Sequence, residues 1–198
     1  MSFKGSFPSF ELLRQTESYL DSASFEKTIQ PPRATLSWIK GVRQTLEHSN
    51  NNLILAVQGG ALSEGIDLPG DQIIGAFIVG PAIPMISKER DERARIIAEQ
   101  GFQVSQSPTK GGSSLTQLGY AVSYIFPGMS KSIQSAGRVI RTPTDKGIIV
   151  LMDSRFLEKP YTDAFPSDWL GQGESPSSLV STQILKDIAD FWAMDHEP

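Results

Sequence analysis

Apolar residues recur along this chain in two rhythms, short unbroken runs and longer stretches spaced by three or four, and their alternation predicts strands interleaved with helices. Leu53 to Val57 reads Leu-Ile-Leu-Ala-Val, and Ile73 to Val79 reads Ile-Ile-Gly-Ala-Phe-Ile-Val. Runs that are apolar at nearly every position fit strands of a parallel sheet covered on both faces. Gly147 to Asp153 supplies a third such strand, and Phe25 to Gln30 a shorter one stopped by Pro31 and Pro32. Helical spacing runs over Glu11 to Leu20, where Leu12, Leu13, Thr16 and Leu20 recur and Ser9 stands at the N-cap position. Over Thr35 to Leu46 it places Leu36, Ile39, Val42, Arg43 and Leu46 near an inner side. A strongly charged helix is expected over Lys88 to Glu99, and two more over Leu115 to Phe126 and Ser130 to Arg141, separated by Pro127-Gly128. Pro160 to Ser178 reads as an irregular connection before a last helix from Ser178 to Asp195.

Strands alternating with helices predict an α/β fold with a mostly parallel sheet and helices on both faces. Ligands of such sheets gather outside the carboxyl ends of the strands. A length of 198 residues suits one such domain, expected over residues 1–176, with 177–198 as a helix packed on it or extending it. The formal net charge of -4 excludes a uniformly basic coat and leaves room only for a local basic groove. With no cysteine, disulfides, iron-sulfur clusters and thiolate metal sites are excluded within this chain. His48 and His196 show no pairing pattern, so no metal site is expected. No apolar run reaches the ~18 residues of a membrane span, and Met1 to Gly5 lacks a signal-peptide core, so the expectation is a cytoplasmic protein with no membrane partner.

Against that background one octet stands out, Gln134-Ser-Ala-Gly-Arg-Val-Ile-Arg141. On a continuous helix Gln134, Arg138 and Arg141 would fall within an arc of about 60°, with Ile133, Ala136 and Ile140 forming an apolar stripe elsewhere. Two guanidinium groups on one face repel each other, so the arrangement suits an anionic target such as a phosphate chain. Its plain alternative is the solvated basic face of an amphipathic helix. A second stretch, Gln58 to Gly70, follows directly on the Leu53 to Val57 strand. Its glycines let backbone N–H groups approach a ligand, and Asp67 could accept hydrogen bonds from a sugar hydroxyl. The alternative there is a tight turn that merely needs glycine.

Ser63-Glu64-Gly65-Ile66-Asp67, followed some seventy residues later by the Gln134 octet, resembles motifs V and VI of superfamily-two helicases of the XPD/DinG branch. Phe7-Pro-Ser9-Phe10, Asp153-Ser-Arg155-Phe156, Tyr161, Pro166 and Trp169 extend the resemblance over roughly residues 6 to 170. The resemblance implies a RecA-like three-layer sandwich, the second motor domain of an ATP-dependent DNA helicase with a place in DNA repair. It implies that Arg141 is the arginine finger toward the γ-phosphate, with Arg138 a second cation and Gln134 their polar companion. Asp67 would bond the ribose, and Glu64 and Gly65 would couple nucleotide to nucleic acid. Ser63, Gly60 and Ser9 would contact single-stranded DNA. ATP and Mg2+ would be held mainly by a first motor domain, the implied partner beside DNA.

No phosphate-cradling Gly-x-x-x-x-Gly-Lys-Ser/Thr motif is present, so this chain is not expected to hold ATP or turn it over alone. Thr109 to Ser114 reads as a turn, and Asp91-Glu92 as part of a solvated helix face, with Arg90, Arg93 and Lys110 as outlying candidates beside a DNA channel. Asp153 reads as a structural strand-end residue. Trp38, Trp169 and Trp192 read as packing anchors. Family members have a buried strand before Phe-Pro-Ser; only six residues precede it here, so the domain is expected to be cut just inside that edge. The rival to the helicase is a non-catalytic RecA-like module that binds single-stranded nucleic acid or a protein.

Overall fold

A computed structural model describes residues 2–20, 25–49, 51–64, 73–100, 114–140, 142 and 144–194. The chain forms two compact units, Met1–Ala164 and Phe165–Pro198. In the first, five strands β1 (Phe3–Phe7), β2 (Glu26–Ile29), β3 (Asn52–Val57), β4 (Gly75–Ile78) and β5 (Ile148–Leu151) form one sheet in the order β2-β3-β1-β4-β5. Every pairing is parallel. The helices are α1 (Phe10–Glu17), α2 (Leu36–His48), α3 (Ala61–Glu64), α4 (Lys88–Glu99), α5 (Ser114–Tyr120) and α6 (Phe126–Ala136). The expected α/β three-layer arrangement is present.

Alternation along β1 assigns the two faces. Phe7 of β1 and Leu55 of β3 point to one side, where they bury Leu13 of α1, each at most 2% exposed. Truncating such a core leucine to alanine costs about 2–5 kcal/mol. Lys4 points to the other side and donates from Nζ to the Leu62 carbonyl of α3 at 3.2 Å. On that side α6 packs on β4 and α3.

A strand that the sequence reading does not find precedes Phe-Pro-Ser. Phe3–Phe7 is present and central, bonded to both β3 and β4. Its sequence Phe-Lys-Gly-Ser-Phe hides it, because Lys4 and Ser6 read as polar although they are 1% and 0% exposed.

A correction concerns Pro127-Gly128, which does not separate two helices. The chain passes from α5 through a π-helical segment, Ala121–Ile125, straight into α6. Widening the helix just ahead of Pro127 accommodates a ring that lacks an N–H and would crowd the carbonyl four residues earlier. Gly128 fits because a Cβ there would stand 2.9 Å from the Ala82 carbonyl oxygen.

On α2, Val42 and Leu46 are buried as expected, but Leu36 is 77% exposed and Arg43 faces solvent. Leu36 opens the helix directly after the Thr35 N-cap, whose side chain accepts from Trp38 N, and so it precedes the part that meets the core. On α4, Arg95 pairs with Glu92 and Glu99 as a solvated face should. Asp91 departs from that face and accepts a 2.6 Å bond from the Tyr124 hydroxyl.

The second unit holds a 3₁₀ turn at Pro176–Leu179 and helix α7 (Ile184–Ala193). The helix expected from Ser178 therefore starts later. Ser175 and Ser178 close a capping box around Pro176, and Val180 is extended, which ends that turn before α7 begins. Phe165 lies against Trp169 at 5.9 Å between ring centroids, and Phe191 against Trp192 at 5.1 Å.

Candidate functional site

Parallel strands deliver their following loops to one edge of the sheet. There Ser9 follows β1, Gln58, Gly59 and Gly60 follow β3, Gly80 follows β4 and Asp153 follows β5. Ser9 is exposed and caps α1, its hydroxyl accepting from Leu12 N at 3.2 Å. Gly59 takes φ +70°, a conformation that β-carbons disfavour. A Cβ on Gly60 would collide with the Gln30 amide and stand 2.9 Å from the Val57 carbonyl oxygen.

Gln58 holds this edge together. Its backbone N–H donates to Phe7 O at 2.8 Å, and its side-chain amide donates to Ser6 O at 3.2 Å and Gly80 O at 2.8 Å. Ser132 of α6 donates from Oγ to Gln58 Oε1 at 2.7 Å, with Gly128 O at 3.1 Å sharing the same proton, and accepts from Ala82 N at 3.3 Å. One 5% exposed side chain thus ties the ends of β1, β3 and β4 to α6. Sequence reading assigned no role to Gln58 or Ser132. The available signal was an amide placed between a fully apolar strand and a glycine pair.

The direction of α6 decides where the octet lies. Gly128, near its start, meets Ala82 beyond the carboxyl end of β4. Val139, beyond its end, meets Gly147 just before β5, and the Ile74 carbonyl just before β4 lies 3.0 Å from the same Gly147 Cβ position. The helix therefore runs antiparallel to the strands, from their carboxyl ends toward their amino ends. Gln134 is exposed on this helix, whereas Arg138 lies past its last turn.

The expected helix from Ser130 to Arg141 is corrected in consequence, since Arg138 lies beyond its end. The helix stops at Ala136, with Gly137 as C-cap donating to Ile133 O. Glycine costs about 1 kcal/mol relative to alanine inside a helix, and here it marks the exit. The apolar register shifts with it: Val139 is fully buried and Ile140 is 44% exposed, the reverse of the stripe expected on an unbroken helix.

Arg141, Gly65, Asp67 and Lys110 lie outside the described residues. Ser63 and Glu64 fall in α3, which the Lys4 ammonium meets at the Leu62 carbonyl. After the octet, Asp145 accepts from Thr142 N at 3.0 Å and from Thr142 Oγ1 at 2.6 Å, fixing a turn there.

Asp153 is structural, as read from sequence. It accepts from Arg155 N and Nε at 2.9 Å and from Nη2 at 2.8 Å. Those bonds from Arg155 hold its carboxyl below the usual carboxylate range, and they raise the Arg155 guanidinium in turn. Burial pushes the Tyr124 hydroxyl up, with the Asp91 bond adding to it. Among the described residues no group of three His, Cys, Asp or Glu could hold a metal ion, and no helix is long and apolar enough to cross a membrane.

Several curated proteins resemble this chain. ATP-dependent DNA helicase CHL1 of Debaryomyces hansenii is 27% identical over 175 residues, which cover 87% of this chain and 20% of that protein. CHL1 of Eremothecium gossypii is 28% identical over 159 residues, 78% of this chain and 19% of that protein. The chain thus spans about a fifth of the length of these relatives. A solved structure described as "XPD_Helicase" superposes with TM-score 0.58 at 22% identity, over 82% of this chain and 26% of its own, and that likeness is one of fold. The family described as "Helicase C-terminal domain" matches residues 5–172, a span that takes in the end of the central strand, the Gln58 hub and the whole of α6; the chain belongs to that family, in the XPD/DinG branch its motifs resemble.

Proposed function

We propose that this chain acts as the second motor domain of an ATP-dependent DNA helicase with a place in DNA repair, completing a nucleotide site whose other half belongs to a first motor domain. ATP and Mg2+ are held by that other domain. The observation that carries the reading is the Ser132–Gln58 bond, which fastens the helix bearing Gln134 to the loop bearing Gly60. One stiff helix therefore joins the strand-end edge, where Ser9 and Gly60 stand, to the segment that leads toward Arg138 and Arg141. Such a connection suits a machine in which nucleotide at one place must be felt by nucleic acid at another. The described relatives are named ATP-dependent DNA helicases, which supports the same reading.

In this reading Arg141 stabilises charge on the equatorial oxygens of the transferred phosphoryl group, an effect worth ~10³ to 10⁵ in rate when an arginine is supplied from outside the ATP-binding domain. Arg138 adds a second cation and Gln134 orients the polar shell. Asp67 accepts from the ribose, Glu64 and Gly65 link the loop to the nucleotide, and Ser63, Gly60 and Ser9 touch single-stranded DNA.

Two measurements test the proposal. The purified chain alone should show no DNA-stimulated ATP hydrolysis, and turnover tracking this polypeptide would refute the half-site. In a protein that pairs this domain with its first motor domain, Arg141→Ala should cut ATP turnover by orders of magnitude without loss of folding stability.

A further inference from the structure

We propose that Lys131, lying over the Gly59 turn, is a seat for one phosphate group of a single-stranded nucleic acid. This rests on the reading that the strand-end edge faces nucleic acid, and it adds a residue that the motifs do not contain.

The geometry is specific. A Cβ at Gly59 would stand 3.0 Å from Lys131 Cδ, 3.2 Å from Cε and 3.3 Å from Nζ, so the lysine stem lies along the bare α-carbon of a residue held at φ +70°. Both partners are fixed from behind. Gln58, next to Gly59, is anchored to three strands, and Ser132, next to Lys131, is hooked to Gln58. Lys131 is exposed, and among the described residues it has no ion pair or hydrogen bond. The Gly59 N–H likewise donates to nothing among the described residues.

Lys131 therefore sets an ammonium beside a bare backbone turn whose N–H has no partner among the described residues. A lysine ammonium is a compact point charge that suits a phosphate oxygen. The phosphate could come from a nucleic-acid backbone or from a free nucleotide. Ser9 and Gly60 occupy the same edge, whereas Arg138 follows a helix that leaves it, so the backbone is the source assigned here.

The test uses the whole chain and a fluorescein-labelled oligo(dT), with binding followed by anisotropy across a salt series. Lys131→Ala should weaken binding roughly 3- to 10-fold and lower the slope of log affinity against log salt by about 0.7, the loss of one single-strand phosphate contact. Lys131→Arg should retain both. Lys146→Ala, an exposed lysine just before β5 at the opposite edge, should leave both unchanged. Unaltered affinity and slope in Lys131→Ala, absence of oligo(dT) binding by the unmodified chain, or an effect confined to free triphosphate would each overturn the assignment. The proposed arginine roles are judged separately by ATP turnover with the first motor domain. A normal Arg141→Ala turnover alongside a positive Lys131 result would sink those roles and leave the seat standing.

Discussion

Ser132 Oγ donates to Gln58 Oε1 across 2.7 Å, joining residues 74 positions apart in the chain. Both are buried, at 2% and 5% exposed. Because the same Gln58 amide bonds Ser6 and Gly80 carbonyls, the placement of α6 and the ends of the two central strands depend on one side chain.

Ser132→Ala should therefore destabilise the first unit by about 1–3 kcal/mol, since it strands a buried Gln58 carbonyl oxygen and the Ala82 N–H together. Gln58→Leu should cost more, because the Ser6 and Gly80 carbonyls both lose a donor. The double variant should cost less than the sum, by about 0.5–3 kcal/mol, as expected of groups in one network. Urea denaturation of the four proteins checks the cycle. An additive result would show that the two side chains act independently.

At Gly59, substitution meets a φ of +70° and should cost about 1–2 kcal/mol for alanine and less for asparagine, which tolerates that region. The flexible Lys131 stem can yield to a new Cβ there. Gly60→Ala should be worse, because the obstacles are the buried Gln30 side chain and the Val57 carbonyl oxygen. The order Gly60→Ala, Gly59→Ala, Gly59→Asn in decreasing cost is checked by thermal denaturation.

Much of the architecture was legible because parallel strands covered on both faces need apolar runs, and β3, β4 and β5 carry them in plain view. The central strand escaped because Lys4 and Ser6 sit inside it, and residue type alone assigns a lysine to solvent. The octet satisfies helical spacing and so predicts one helix, whereas Gly137 ends the helix in its middle. Gly60 was legible as a strand-end residue and Ser9 as a helix N-cap. The Gln58–Ser132 bond was not, since no local pattern links positions so far apart.

Ser6 offers the opposite case to Ser132. Its hydroxyl is buried and has no hydrogen-bond partner among the described residues, so burial costs it solvation with nothing returned. Ser6→Ala should leave stability within about 0.5 kcal/mol or raise it, because removing an unsatisfied polar group relieves its desolvation penalty. The Gln58 amide contacts the Ser6 carbonyl, which the substitution keeps. A loss as large as that of Ser132→Ala, measured in the same urea assay, would show that Ser6 has a partner.

Asp153 and Arg155 give the pH prediction. Three hydrogen bonds from Arg155 lower the Asp153 carboxyl below its ordinary 3.8. A group whose folded pKa lies below its unfolded value contributes stability that is fully present above the unfolded pKa and is lost as pH falls through the folded one. The pair should therefore contribute at neutral pH and fade below about pH 4, the unfolded carboxylate range. Its size is limited, because the Arg155 side chain is 41% exposed and solvent screens the attraction, leaving on the order of 1 kcal/mol. The raised Arg155 guanidinium is the same interaction seen from the other partner and is counted once. Asp153→Asn should accordingly destabilise the protein at pH 7 by about 1 kcal/mol, and the gap between variant and unmodified chain should narrow as pH falls toward 3. A gap that stayed constant over that range would mean that Asp153 works through its shape beside Gly80, whose Cβ would lie 3.1 Å from Oδ2, and not through its charge.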